Sequence, residues 1–85
     1  MSQVTPAEDA TMRAQALRIA DDLTASPDTP MTEETLIGLA DQHTGSTREQ
    51  EYLLASVPLT YGLTQGEYAA DVRQVMAQQE ARGQR

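Results

Sequence analysis

The chain of 85 residues has no cysteine, no lysine, no phenylalanine and no tryptophan. Without cysteine, disulfides, thiolate metal sites and cysteine nucleophiles are excluded. Without Phe and Trp, the core falls to Leu, Val, Ile, Met and Ala, with three tyrosines as the aromatic complement. Alanine is the commonest apolar residue, and it buries little area per position. Mass scaling for a chain of 9.3 kDa gives about 5,000 Å² exposed when folded against about 13,500 Å² extended. That suffices for a modest core in one domain over residues 1–85, with short flexible ends at 1–4 and 83–85. Two outcomes stay open: a modestly stable monomer, or burial completed by a partner or a second copy. No apolar run approaches membrane-spanning length. The N-terminus lacks the basic start and apolar stretch of a secretory signal. The expectation is a cytoplasmic protein with no membrane partner.

Basic charge is scarce too. Thirteen acidic residues face six arginines, for a net charge of −7. Such a chain repels phosphate, which disfavours nucleic acid, and it suits a basic protein partner. Using Arg alone as cation fits the codon composition of a GC-rich genome, so a bacterial or phage source is expected. Six of the acids, Glu8, Asp9, Glu33, Glu34, Glu49 and Glu67, have a local explanation. They fall in expected first turns of helices, where a carboxylate complements the dipole.

What the sequence does contain is helix punctuation. Thr5-Pro6-Ala7-Glu8, Thr32-Glu33-Glu34, Ser46-Thr47-Arg48-Glu49 and Thr64-Gln65-Gly66-Glu67 each set a hydroxyl cap before acidic residues. The first helix is expected from about Pro6 to Ala25, with Met12, Ala16, Ile19 and Leu23 on one face and an Asp9–Arg13 pair off it. Ser26 to Pro30 reads as a turn. The second helix spans about Glu33 to Thr44, stapled by Met31 and Leu36. Leu36, Leu39, Ala40 and His43 face inward, Ile37 widens the stripe, and Gly45 closes the helix in the left-handed conformation. The third covers about Thr47 to Val57, with Leu53, Leu54 and Val57 inward, and Pro58 ends it; a kinked continuation to Tyr61, ended by Gly62, is the second choice. The fourth runs from about Gln65 to Arg82, with Leu63 and Tyr68 as staple and Tyr68, Val72, Val75, Met76 and Gln79 inward. Gly83 ends it, and Arg82 and Arg85 complement its dipole. No segment has strand periodicity. The fold class is all-α: a compact bundle of four helices, long at positions 1 and 4 and short at 2 and 3.

Little in the chain carries chemistry. His43, the one histidine, has no second strong ligand at i+4, and a histidine near a helix C-terminus ordinarily offsets the dipole. Asp22, Thr24, Ser26, Asp28 and Glu33 fall at positions 1, 3, 5, 7 and 12 of a calcium loop. Pro27, however, stands where that loop needs Gly, and Pro30 follows, so a plain turn explains the segment better. No catalytic residue, cofactor or metal is assigned. Leu39 to Thr47 resembles a helix-turn-helix, two short helices around a tight turn bearing Gly45. Its second helix carries Glu49 and Glu51 toward phosphates with Arg48 alone in favour, and Ala40 to Gly45 is one residue longer than the usual spacing. Size, acidity and helicity are similar to acyl carrier proteins and colicin immunity proteins. The carriers' Asp-Ser-Leu attachment motif is absent, Ser46 standing in Gly-Ser-Thr, and Tyr61 stands alone where the immunity proteins have Tyr-Tyr-Pro. Neither family is assigned.

Two features suggest a binding surface. Asp21 and Asp22 close the first helix where its dipole disfavours acids, and with Asp28 they form a candidate acidic patch. Leu59, Tyr61 and Leu63 lie in an apolar connection: either they fold back over the core or they form an exposed patch anchored by Tyr61. The expected function is a non-enzymatic, acidic protein-binding module (adaptor, inhibitor or accessory protein), capable of dimerising. A helix-turn-helix regulator is the alternative, and a DNA mimic that blocks a nucleic-acid-binding protein the third.

Overall fold

The computed structural model describes residues 5–59 and 61–83, among which are four helices and no strand. They are α1 (Pro6–Thr24), α2 (Glu33–His43), α3 (Thr47–Ser56) and α4 (Gln65–Gly83). The long-short-short-long pattern expected from the sequence is the observed one, packed into a body of 37 × 28 × 19 Å. The expected tail at 1–4 and the dipole role of Arg85 lie outside the described residues. Gly83, expected just past the last helix, is its final residue.

Each cap signal starts a helix. At α1, Thr5 Oγ1 accepts from the Glu8 amide at 3.1 Å and Glu8 returns a carboxylate to the Thr5 amide at 3.3 Å. Thr64 and Glu67 make the same reciprocal pair at α4, at 3.2 and 2.9 Å. Thr32 caps α2 through the Thr35 amide, and Ser46 caps α3 through the Glu49 amide. Each such cap contributes about 1 kcal/mol. Glu49 departs from the pattern: its carboxylate takes the Gly45 amide at 2.9 Å.

The α2 C-terminus corrects one expectation. Gly45 does not adopt the left-handed conformation; among the described residues the positive φ belongs to Gly62, at 89°. Thr44 ends the helix in extended conformation, with its amide and its hydroxyl both given to the Ala40 carbonyl. The reason is the cap of the next helix. Ser46 is extended at the start of α3, so the chain leaves α2 directly into that conformation. At the other end of α3, Val57 is the cap (φ −127°, ψ 63°), so the helix stops before Pro58 and the kinked continuation does not occur.

Helix α1 is central: it packs against α2, α3 and α4, whereas among the described residues the α4 backbone comes close to no helix but α1. Met12, Ala16, Ile19 and Leu23 are buried as expected, with Ala20 and Gln15 beside them. Leu36, Ala40, Leu53, Val57, Tyr68, Ala69, Val72 and Met76 complete the core with Met31, and Leu39 and Leu54 pack half-buried against it. Each large apolar side chain removed from water stabilises by about 1.5–3 kcal/mol. Two inward assignments fail. Ile37 is 43% and Val75 37% exposed. Both extend the apolar stripe of their helix, but no further helix lies across that flank of α2 or of α4 to cover them.

The start of α4 is fastened to the turn that follows α1. Pro30 and Thr64 form an isolated antiparallel bridge. Around it, Met31 donates to the Leu63 carbonyl, Gln65 to Thr29 and Gly66 to Pro27, at 2.9, 2.7 and 3.0 Å. Arg73 of α4 reaches Asp21 and Thr24 at the end of α1, at 2.9 and 3.1 Å. Thus α4 runs back along α1 from a fixed starting point.

Candidate functional site

The two ends of α3 each border a depression. At its C-terminal end, Val57, Pro58, Tyr68, Val72 and Val75 line an apolar groove of about 210 Å³, with Asp71 as its charged residue. It exists because the backbones of α4 and α3 do not approach closely, which leaves the flank of α4 toward the α3 cap only partly covered. Tyr68 is its fixed wall: 2% exposed, with its hydroxyl donating to the Val57 carbonyl. That bond satisfies a carbonyl that the end of α3 leaves without a helical partner. Burial first, and the Asp71 charge second, push the Tyr68 phenol up to about 12.

At the N-terminal end of α3, a more polar cleft of about 230 Å³ lies against α1, with Glu8, Met12, Gln15, Arg48, Glu49 and Tyr52 among its lining residues. Arg48 Nε donates to Glu8 Oε2 at 3.0 Å. This guanidinium, and then the Thr5 amide, hold the Glu8 carboxyl below the usual carboxylate range. The Gly45 amide and then Gln15 do the same for Glu49. The Tyr52 hydroxyl donates to Asp9 at 2.7 Å, and Asp9 also pairs with Arg13, in keeping with their i,i+4 spacing. Burial, followed by that bond to Asp9, pushes the Tyr52 phenol up.

The residues singled out from sequence separate into different environments. Leu59 and Leu63 pack half-buried against the core, so the three-residue apolar patch is not an exposed unit; Tyr61 alone of the three is exposed, at 79%. Asp21 is paired with Arg73, and Asp22 with His43 Nε2 at 2.7 Å, while Asp28 is exposed on the turn. Two of the three acids of the proposed patch therefore have partners within the chain. Arg48, the basic residue of the helix-turn-helix resemblance, is occupied by Glu8. Among the described residues, no three of His, Asp and Glu gather closely enough to hold a metal ion. No described helix is long and apolar enough to cross a membrane.

Sequence reasoning missed the groove and the cleft. The signal for the groove was an apolar stripe on α4 that includes both Val72 and Val75, wider than one partner helix covers. The signal for the cleft was Gln15, a polar residue on the apolar face between Met12 and Ile19. Comparison with protein-family models, curated proteins and solved structures finds no match to this chain.

Proposed function

We propose that the protein is a non-enzymatic, acidic protein-binding module, an adaptor, inhibitor or accessory protein, whose groove beside α4 receives an apolar side chain of a basic partner. The observation that carries this reading is the groove itself: five apolar residues around about 210 Å³, with Asp71 beside them, in a chain of net charge −7. Apolar contact supplies affinity, and the charge accelerates and orients the approach of a basic surface. Tyr61, three residues beyond Pro58 and 79% exposed, supplies a rigid amphipathic contact outside the groove. Asp28 and the exposed outer edges of Asp21 and Asp22 contribute to steering. The working compartment in this reading is the cytoplasm of a bacterial or phage-infected cell, and a second copy of the chain is one admissible partner.

The test is paired affinity capture with wild type and Val75→Asp as baits. Val75 is 37% exposed, so the substitution alters the groove with little burden on the core. A basic protein retained by wild type, weakened by salt and lost with Val75→Asp supports the reading. Identical captured sets from both baits remove it. Sedimentation equilibrium on the same pair decides whether a second copy fills the groove. A sequence-specific shift of duplex DNA, abolished by Arg48→Ala, would install the helix-turn-helix regulator instead.

A further inference from the structure

Asp71 is the single charged residue in the wall of the groove beside α4. It follows Tyr68 by one helical step of i+3 and precedes Val75 by one of i+4, so the three share a flank of the helix. Among the described residues Asp71 has no ion pair. The pairs there join Arg13 to Asp9, His43 to Asp22, Arg48 to Glu8 and Arg73 to Asp21. The helix itself offers no cation one turn away: the neighbours on that flank are Glu67, Tyr68, Gln74 and Val75, and Arg82 lies in the last turn. The Asp71 charge also reaches the inner wall of the groove, where it adds to burial in holding the proton on Tyr68. Size limits what can enter. About 210 Å³ exceeds the roughly 150 Å³ that takes a benzene ring and falls short of the roughly 300 Å³ at which drug-sized pockets begin, so one long side chain fits. A wholly apolar side chain would gain from Val57, Pro58 and Val75 but would strip water from an unpaired carboxylate, which is costly. A side chain with an apolar stem and a cationic tip gains from the wall and neutralises the carboxylate at once. Arginine matches better than lysine. Its guanidinium is more weakly hydrated than an ammonium and meets a carboxylate through two parallel hydrogen bonds.

We propose that the groove seats an arginine side chain of the partner, its methylene stem against Val57, Pro58 and Val75 and its guanidinium on the Asp71 carboxylate. This inference rests on the reading of the groove as the partner's docking site, and it names the residue that enters: the apolar element is the stem of an arginine. Asp71 is then the specificity residue. It favours a segment that presents arginine and turns away acidic ones, while the net charge of −7 draws basic surfaces toward the molecule as a whole.

The experiment is heteronuclear NMR titration of the full chain with N-acetyl-arginine amide, carried to high millimolar concentration beside its citrulline, lysine and leucine counterparts. Citrulline keeps the shape of arginine and lacks its charge. The arginine probe should give saturable shifts centred on Val57, Asp71, Val72 and Val75. It should bind about fivefold tighter than the citrulline probe, the upper range for an exposed ion pair, and tighter than the lysine probe. Asp71 is exposed, so Asp71→Asn leaves the fold intact, and it should bring the arginine probe down to the citrulline affinity. An arginine affinity that survives Asp71→Asn overturns the proposal, and lysine binding as tightly as arginine overturns the guanidinium assignment. If leucine shifts the groove residues while arginine binds no tighter than citrulline, the arginine anchor falls and the groove keeps its role with a plain apolar occupant. If none of the four probes shifts those residues, the anchor and the docking groove fall together.

Discussion

Replacing Gly66 with alanine should lower stability, although an alanine in a helix ordinarily raises it. A Cβ at this position would lie 2.8 Å from Pro27 Cβ and 3.2 Å from both Pro27 Cα and the Pro27 carbonyl oxygen. Real Cβ atoms do not approach that closely, and the obstacle is a proline ring and backbone rather than a flexible side-chain tip. Nor can the two segments separate freely, because Gly66 N–H donates to that same carbonyl and Gln65 donates to Thr29. Overpacking of this kind costs about 1–3 kcal/mol. The gain from helix propensity is at most about 1 kcal/mol and smaller in the first turn. The net loss is then about 1–2 kcal/mol, or a Tm lowered by about 5–15 °C for a domain of this size. Gly38 is the internal control: it lies within α2, where an added Cβ would meet nothing inside 4 Å, so Gly38→Ala should gain about 1 kcal/mol. Thermal and urea melts followed by far-ultraviolet circular dichroism give both values. If Gly66→Ala stabilised as Gly38→Ala does, the α1–α2 turn would not be seated on α4, and the account of how α4 is positioned would be wrong.

Two further outcomes follow from the tyrosines and the titrating groups. Tyr61→Ala should change the melting midpoint by no more than the equivalent of about 0.5 kcal/mol, whereas Tyr68→Ala should cost about 3–5 kcal/mol, since one ring is 79% and the other 2% exposed; a large loss from Tyr61→Ala would place that ring in the core. Stability should fall at both pH extremes. The Tyr68 phenol, at about 12 when folded against about 10 unfolded, holds its proton longer in the native state, so stability is full below pH 10 and declines as pH rises from there toward 12. Glu8 and Glu49 are lowered when folded, so their contribution is present above about pH 4.3 and is lost as pH falls through and below it. Urea midpoints across pH check both limbs, and Tyr68→Phe should flatten the alkaline one.

The helices are readable from sequence because their signals are local. Thr5 with Glu8 and Thr64 with Glu67 satisfy amides three residues away, and such bonds need no knowledge of the rest of the molecule. The face of α1 is readable for a related reason: a helix surrounded by three others shows a wide, regular apolar stripe. Val75 and Ile37 mislead because periodicity says which residues share a face, not whether another helix lies opposite it. Gly45 misleads because the demand of the following cap overrides the usual helix ending. The groove and the cleft are illegible for a deeper reason. Each joins residues from separate helices, and their shape depends on where α4 and α3 settle on α1.

That α4 packs along α1 as its one close helix neighbour, and is otherwise held near its start by the Pro27–Met31 turn and the Tyr68–Val57 bond, sets how the native state comes apart. The first and last helices are neighbours with residues 25–64 between them, so their pairing closes a long loop, while the α2–α3 contacts are local. Amide exchange should accordingly show α4 opening as a block at lower free energy than α1. When it opens, Tyr68, Val72 and Val75 leave together, and the wall of the groove leaves with them. The groove is thus a property of the docked population and not of every folded molecule. A partner that occupies it withdraws molecules from the open pool, so binding and the slowing of amide exchange in α4 are two readings of one equilibrium.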